Sequence, residues 1–172
     1  SCPKCGSTVL ETKKAIEVGN IFELKTKYSH AFDFTFKDQA EKSQEVLMGC
    51  YGMGPSRILG TIVEVCHDDK GIVWPKNVAP FSVHLISLKQ NEEAEKIYQK
   101  LQKENIEVLY DDRDNVSPGE KFADADLIGC PYRLVVSQKT LSENKVEFKS
   151  RVSETSELVE IEKISEFLKK II

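Results

Sequence analysis

The stretch that decides the fold is Gly49-Cys50-Tyr51-Gly52-Met53-Gly54-Pro55-Ser56-Arg57. The apolar segment Glu45–Tyr51 leads into the glycines and predicts a strand buried on both faces. Beyond the glycines, apolar residues recur at helical spacing and predict one buried helix face: Ile58, Leu59, Ile62, Val63 and Cys66. Glycines let a planar ligand lie against the backbone, and a helix N-terminus with an arginine favours a phosphate. The stretch therefore indicates a nucleotide site, although a plain strand–helix turn with a surface arginine has the same pattern.

The residues before this stretch have the pattern of strands. Thr12–Leu24 predicts one strand, and Phe32–Phe36 predicts another, because its phenylalanines alternate with polar residues. A polar turn is expected over Lys37–Gln44, and a small polar cluster, Thr26–Ser29, follows the first strand. By itself this cluster would be an ordinary strand end.

Cys2 and Cys5 have the C-x-x-C spacing of half a zinc ribbon. The other half is missing from the sequence, so they are the only zinc-ligand candidates and no bound zinc is expected. The alternative to half of a zinc site is that Cys2–Cys5 is a remnant of a neighbouring domain. The remaining cysteines are isolated, which is typical of a reduced, cytoplasmic protein: Cys50, Cys66 and Cys130.

A change of pattern near Gly71–Pro80 predicts an ordered linker and two domains, residues 1–81 and residues 82–172. In the second part, strand and helix patterns alternate, which implies a mixed sheet flanked by helices, an α/β (α+β) fold. Strands are predicted at Val83–Leu88, Ile106–Tyr110, Leu134–Val136 and around Val146 and Phe148. Helices are predicted around Ala94–Leu101, from Ser117 to Ile128, and over Ile161–Ile171.

Charge and hydropathy exclude several classes of protein. The formal net charge is −4 at pH 7, so the chain lacks the basic excess of a non-specific DNA or RNA binder. Any RNA contact must come from a local patch. No apolar run reaches the length of about 18 residues that a membrane-spanning helix needs.

Taken together, the motifs resemble those of bacterial-type prolyl-tRNA synthetases over nearly the whole chain. The resemblance is carried by Thr26–Ser29, by the glycine stretch that ends at Arg57, and by Asp111–Arg113 followed by Pro118–Pro131. The glycine stretch is similar to the third signature motif of class II aminoacyl-tRNA synthetases. Residues 1–81 would then be the end of an antiparallel catalytic sheet, and residues 82–172 the anticodon-binding domain.

The resemblance implies that the complete enzyme is a cytoplasmic homodimer that activates proline with ATP and Mg²⁺ and transfers it to tRNA(Pro). Arg57 would bind the γ-phosphate of ATP, and Gly52 and Gly54 would form the floor of the adenine site. The adenylate and proline pocket would be lined by Thr26, Tyr28 and Cys50. The sequence departs from the family in two places, since Asn20 replaces a common histidine and Lys25 replaces a usual glycine.

The first and second class II motifs have no counterpart in these residues. The second motif supplies the arginine that binds the α-phosphate, so we expect this chain alone to be inactive.

For the anticodon, the resemblance selects Asp126 as a reader of guanine, with Lys149 and Arg151 as base or phosphate contacts. A carboxylate suits the adjacent N1–H and N2–H₂ donors of guanine, and RNA specificity comes from bases read on their edges. The alternative is that Asp111, Asp112, Asp124 and Asp126 are solvated surface charge.

Two other functions remain open at this point. One is a non-catalytic, synthetase-like RNA-binding or regulatory module, which would not need Arg57 or the glycine floor. The other is a glycyl or threonyl sibling enzyme, against which the Thr26–Ser29 motif argues.

Overall fold

The computed structural model describes residues 1–172, which divide into two units, residues 1–61 and residues 62–172. The first unit contains two antiparallel strand pairs, in which β1 pairs with β4 and β2 pairs with β3. Its strands are β1 (Gly19–Lys25), β2 (Thr35–Lys37), β3 (Ser43–Glu45) and β4 (Met48–Met53). Its helices are α1 (Lys27–Ala31) and α2 (Pro55–Val65), and α2 contains the point of division.

Several predictions for the first unit are wrong. Residues 12–18 form no strand, because β4 offers ladder partners only to residues from Gly19 onward. Phe32–Phe36 is not one strand either, since Asp33 has a φ of 51° and only the last two residues join β2. Part of the turn predicted over Lys37–Gln44 is instead the β2–β3 hairpin.

The predicted burial of Glu45–Tyr51 is also wrong. The strand begins at Met48, and all six residues of β4 are exposed. Ser29 is the one buried residue of the first unit, while Tyr51 is 77 % exposed. A two-stranded pair without a covered face has no core of its own.

The second unit is built on a five-stranded mixed sheet, which confirms the predicted α/β class. The strand order is β11-β10-β9-β7-β8, with β7 parallel to β8 and β9 and the remaining pairs antiparallel. The strands are β7 (Val83–Ser87), β8 (Val108–Asp111), β9 (Tyr132–Val136), β10 (Lys145–Ser150) and β11 (Glu157–Glu160). The helices are α3 (Asn91–Lys103), α4 (Pro118–Ile128), α5 (Gln138–Leu141) and α6 (Ile164–Lys169). The sequence interpretation had missed α5 and β11.

The hydrophobic core lies on one face of this sheet, against α3 and α6. The α3 residues that enter it are those of the predicted apolar face, including Ala94, Ile97 and Leu101. On the strands, the core residues alternate with residues of the opposite face, as the two-residue period of a strand requires. Core residues from the strands and from α6 include Val83, Leu85, Leu134, Val146, Phe148, Ile164 and Leu168.

The residues between α2 and β7 are ordered and belong to the second unit. A short hairpin joins β5 (His67–Asp68) to β6 (Gly71–Ile72), and a 3₁₀ turn follows at Lys76–Val78. Trp74, between them, is buried. No helix in the structure combines the length and apolarity needed to cross a membrane.

Candidate functional site

The glycine stretch forms β4 and the start of α2, as predicted. In the β1–β4 pair, Asn20 lies opposite Gly52 and Phe22 lies opposite Cys50. Because opposite residues share a face, these four lie on one side of the strand pair. A Cβ atom built on Gly52 would have no other atom within 4 Å, so the backbone there is an open, flat surface. This geometry fits a planar ligand.

Arg57 lies in the first turn of α2 with its side chain 59 % exposed. Its Nη1 donates a hydrogen bond to the main-chain oxygen of Glu17 at 2.8 Å and lies 3.6 Å from that residue's carboxylate. Asn20 donates to the same carboxylate at 2.7 Å. Glu17 therefore orients the arginine, and the exposed part of the guanidinium remains accessible to an anion.

The Thr26–Ser29 motif lies at the end of β1 and in α1. Thr26 lines a cleft of about 740 Å³ together with residues of the β2–β3 hairpin, such as Asp38 and Glu45. Tyr28 and Cys50 do not line this cleft, although both side chains are exposed. Gly54 approaches the Arg57 side chain, whereas the cleft that Thr26 lines includes neither Tyr28 nor Cys50. The roles predicted for these residues stay predictions.

Lys25, which departs from the family pattern, has a φ of 50°. This left-handed conformation carries no cost for glycine and costs other residues roughly 1–2 kcal/mol. This backbone conformation explains why glycine is favoured at this position. Lys25 adopts the same conformation and is therefore strained.

Cys2 and Cys5 form a turn in which Gly6 N–H donates to the Cys2 main-chain oxygen at 2.8 Å. Hydrogen bonds from the backbone N–H groups of Cys5 and Lys4 lower the pKa of the Cys2 thiol. No group of three or more His, Cys, Asp or Glu side chains is placed to hold a metal ion.

In the second unit, the candidate anticodon residues are Asp126 on α4, Lys149 on the face of β10 opposite the core, and Arg151 just after β10. Arg133 lies opposite both His84 and Lys149 in the strand register, so these three side chains cross the sheet in one row. The guanidinium of Arg133 stacks on the Phe122 ring at 4.7 Å and lies 3.4 Å from the Asp126 carboxylate. Phe122, Asp126, Arg133 and Lys149 are named the Arg133 surface below.

Asp124 and Asp126 point to different partners, as their spacing on a helix predicts. Asp124 accepts a hydrogen bond from Arg113 at 2.7 Å, whereas Asp126 faces Arg133. The Asp126 side chain is 27 % exposed. The two carboxylates therefore have different partners, and only that of Asp126 lies on the Arg133 surface.

Arg151 does not lie free on the surface. Its side chain is only 6 % exposed, and Nη1 and Nη2 each donate to the Asp68 carboxylate at 2.7 Å. Lys149 is half-buried and lies beside Arg133. The predicted RNA contact of Arg151 would require this ion pair to open.

Asp111 is not solvated surface charge, which corrects one alternative from the sequence. It is buried and accepts hydrogen bonds from Arg113 at 2.9 and 2.8 Å, while Lys121, also buried, lies 3.5 Å away. Burial alone would raise the pKa of Asp111, but Arg113 and Lys121 lower it to about 2. The Asp111 carboxylate therefore stays ionised inside the protein.

Sequence reasoning missed Arg133, His84 and Lys121. Arg133 interrupts the otherwise apolar stretch Tyr132–Val136. A charged residue inside a buried strand could have identified it as a candidate site residue. Lys121 precedes the buried Ala125 by four residues and therefore lies on the inner face of α4. Nothing local distinguishes His84, which is buried with Nδ1 unpartnered.

Comparisons with known proteins match two families, one in each part of the chain. Residues 4–66 match the family described as tRNA synthetase class II core domain (G, H, P, S and T). Residues 78–171 match the family described as Anticodon binding domain.

Several curated relatives carry the name proline–tRNA ligase. The protein of Aquifex aeolicus is 48 % identical over 98 % of this chain, and that of Persephonella marina is 45 % identical over 99 %. The protein of Thermosipho africanus is 50 % identical over 89 % of this chain. The chain spans 30 % of the length of the Aquifex aeolicus relative and 31 % of that of Persephonella marina.

Proposed function

We propose that this chain, which belongs to the anticodon-binding domain family, is part of a proline–tRNA ligase. Its proposed role is to help recognise tRNA(Pro). The class II core match before that domain supports a synthetase, and the names of the relatives favour a prolyl enzyme over a glycyl or threonyl one. Residues 82–172 are the proposed anticodon-binding domain, and residues 1–81 the proposed end of the catalytic domain.

The observation that carries the RNA-binding proposal is the arrangement of Arg133, Phe122 and Asp126. A guanidinium stacked on an aromatic ring gives a flat platform, and a partly exposed carboxylate lies beside it. Single-stranded RNA bases are recognised by stacking and by hydrogen bonds to their edges. We propose that Asp126 accepts from the N1–H and N2–H₂ donors of an anticodon guanine, with Lys149 contributing positive charge nearby.

For the first unit, we propose that Arg57 binds the γ-phosphate of ATP and that Gly52 and Gly54 support the adenine. The open surface over Gly52 and the exposed guanidinium support this role. In the complete enzyme, which we infer to be a cytoplasmic homodimer using Mg²⁺, Thr26, Tyr28 and Cys50 would contact proline or its adenylate. The chain alone should not catalyse the reaction, because it carries no second-motif arginine.

The exposed apolar faces of the first unit support its place in a larger catalytic sheet. Ile21 is 82 % exposed and Met53 is 73 % exposed, on strands that have no covering layer in residues 1–61. Apolar patches of this kind mark surfaces that other protein covers.

A two-by-two binding cycle tests the proposed function. The chain with Asp126 or with Asp126→Ala is titrated with tRNA(Pro) and with the same tRNA carrying a substituted anticodon guanine, at fixed salt. A bidentate base contact contributes about 1–3 kcal/mol, so we expect the cognate complex to weaken by about 5- to 150-fold. The substituted tRNA should respond much less.

Asp112→Ala is the matched control, because Asp112 is an exposed carboxylate close by in the sequence. It should leave both affinities almost unchanged. If the losses from Asp126→Ala and from the guanine substitution simply add, Asp126 does not read that base. If the chain binds all tRNAs equally, it is a non-specific module and the proposed function is wrong.

A further inference from the structure

The C-terminal turn of α4, which carries Asp126, is held by residues from two distant segments. The last carbonyl groups of a helix lack donors within the helix. The main-chain oxygen of Asp126 accepts a hydrogen bond from Arg151 Nε at 3.1 Å. The main-chain oxygen of Ile128 accepts one from the indole N–H of Trp74 at 2.9 Å. The Gly129 oxygen accepts from the Trp74 main-chain N–H at 3.2 Å. The end of the helix is therefore capped from outside.

Arg151 uses its whole guanidinium in this arrangement. Nε binds the main chain of Asp126, while Nη1 and Nη2 form two 2.7 Å hydrogen bonds with Asp68 in the β5–β6 hairpin. Its own main-chain N–H donates to Pro131 at 2.8 Å. Such a bidentate pair fixes position as well as charge.

Asp68 is equally engaged. Besides Arg151, its carboxylate accepts the backbone N–H groups of Lys70 at 2.9 Å and Gly71 at 3.1 Å, which shapes the hairpin turn. These contacts, with Arg151 first, hold the pKa of Asp68 well below its usual range. The carboxylate thus links the hairpin turn to Arg151.

The hairpin and the end of α4 also approach at backbone distance. Gly71 has a φ of 151°, and a Cβ atom there would lie 2.4 Å from Cα of Leu127. Gly129 has a φ of 77°, and its Cβ atom would lie 1.8 Å from the main-chain oxygen of Ile72. Only glycine fits at either position, so small displacements of the hairpin are transmitted to α4.

We propose that Arg151 and Asp68 position Asp126 for anticodon reading and that Arg151 itself does not contact RNA. This inference rests on the proposed function. Arg151 binds the main chain of Asp126, and the carboxylate of Asp126 lies on the Arg133 surface. Recognition groups need placement within about 0.5 Å, which a bidentate ion pair with one buried partner can supply.

The Asp68→Asn variant separates positioning from direct contact. If Arg151 contacted RNA, loss of the Asp68 charge would free it, and tRNA affinity would stay equal or rise. If the pair positions Asp126, Asp68→Asn and Arg151→Met should both reduce the preference for tRNA(Pro) over the anticodon-substituted tRNA, by about 10-fold. The salt dependence of binding should be unchanged, whereas loss of a phosphate contact lowers its slope by about 1.

The single tryptophan of the chain gives a second measurement that needs no RNA. The Trp74 indole N–H binds the end of α4, so its hydrogen exchange reports on this cap. We expect exchange to become about 10-fold faster or more in Asp68→Asn and in Arg151→Lys, since a lysine cannot make three directed hydrogen bonds. Lys139→Met removes an exposed lysine and is the matched control, which should change neither exchange nor specificity.

The outcomes distinguish the two proposals. If wild-type protein shows no anticodon preference, the proposed function fails, while faster Trp74 exchange in the variants would still establish the cap. If the preference exists and Asp68→Asn keeps it, or if Trp74 exchange is unaltered, the positioning role is wrong. Asp68 is 43 % exposed, so its variant carries the test even where an Arg151 variant does not fold.

Discussion

The indole N–H of Trp74 donates a hydrogen bond to the main-chain oxygen of Ile128 at 2.9 Å, across 54 positions of the chain. Trp74 is 9 % exposed and therefore contributes buried apolar surface to the unit that contains α4. The residues before the predicted boundary at Phe81 thus pack within the second unit, which begins at Ile62.

The first prediction concerns this boundary. Residues 82–172 contain the hydrophobic core of the sheet and should unfold cooperatively alone. Residues 62–172 should be more stable by about 3 kcal/mol or more, since losing a buried tryptophan costs about 3–5 kcal/mol. Urea denaturation of both segments measures the difference. A broad transition for residues 82–172 would contradict the boundary near Phe81, and equal midpoints would contradict the contribution of Trp74.

The second prediction concerns the buried carboxylate of Asp111. Asp111→Ala should lower the free energy of unfolding by about 3–5 kcal/mol, because Lys121 would remain buried without its counter-charge. Chemical denaturation measures this loss. Asp112→Ala, which removes the exposed neighbouring carboxylate, should change stability by less than about 0.5 kcal/mol. Similar losses for both variants would mean that the buried pair is not specially stabilising.

The third prediction concerns two histidines with opposite pKa shifts. Burial lowers the pKa of His84 below 6.5, while the hydrogen bond with Glu45 raises the pKa of His30 above 6.5. NMR titration of the imidazole resonances measures both. Glu45→Gln should return the pKa of His30 toward 6.5 and leave the pKa of His84 unchanged. Any other result would contradict the role of Glu45 in raising the pKa of His30.

The two pKa shifts should make the free energy of unfolding depend on pH in opposite directions. Between its folded pKa and pH 6.5, His84 binds fewer protons in the folded state than in the unfolded state. Its contribution to the free energy of unfolding is therefore lost as the pH falls through that interval. The contribution of His30 is present below pH 6.5 and is lost as the pH rises through its raised pKa. His84→Gln should remove the first dependence and His30→Gln the second, in unfolding measured from pH 5 to 8.

The fourth prediction concerns catalysis. ATP–pyrophosphate exchange with proline should be at background for this chain, because the α-phosphate arginine of the second motif is missing. In a complete enzyme that contains these residues, Arg57→Ala should slow proline activation by roughly 100-fold or more, the scale of losing one preorganised charge contact. Clear exchange by the purified chain would contradict the first expectation. An unaffected Arg57→Ala enzyme would remove Arg57 from the ATP site.

Much of the second unit could be predicted because its signals are local. Ser117 accepts the Glu120 N–H at 3.2 Å, and Gly129 ends α4 with a φ of 77°, as serine and glycine at those positions predict. The apolar period of α3 likewise identified its buried face. Caps and periodicity act within one or two helical turns, so neighbouring residues suffice to determine them.

By itself, the sequence determined the mixed sheet, the order of its main helices and strands, the family resemblance and the separation of Asp124 from Asp126. Only the tertiary structure decided that Arg151 binds Asp68, that Arg133 stacks beside Asp126, and that Lys121 and Asp111 are buried together. It also left β4 exposed where its apolar residues predicted burial. The physical reason is that a charge becomes buried, paired or free according to the partners that folding brings to it, and these partners lie far away in the chain.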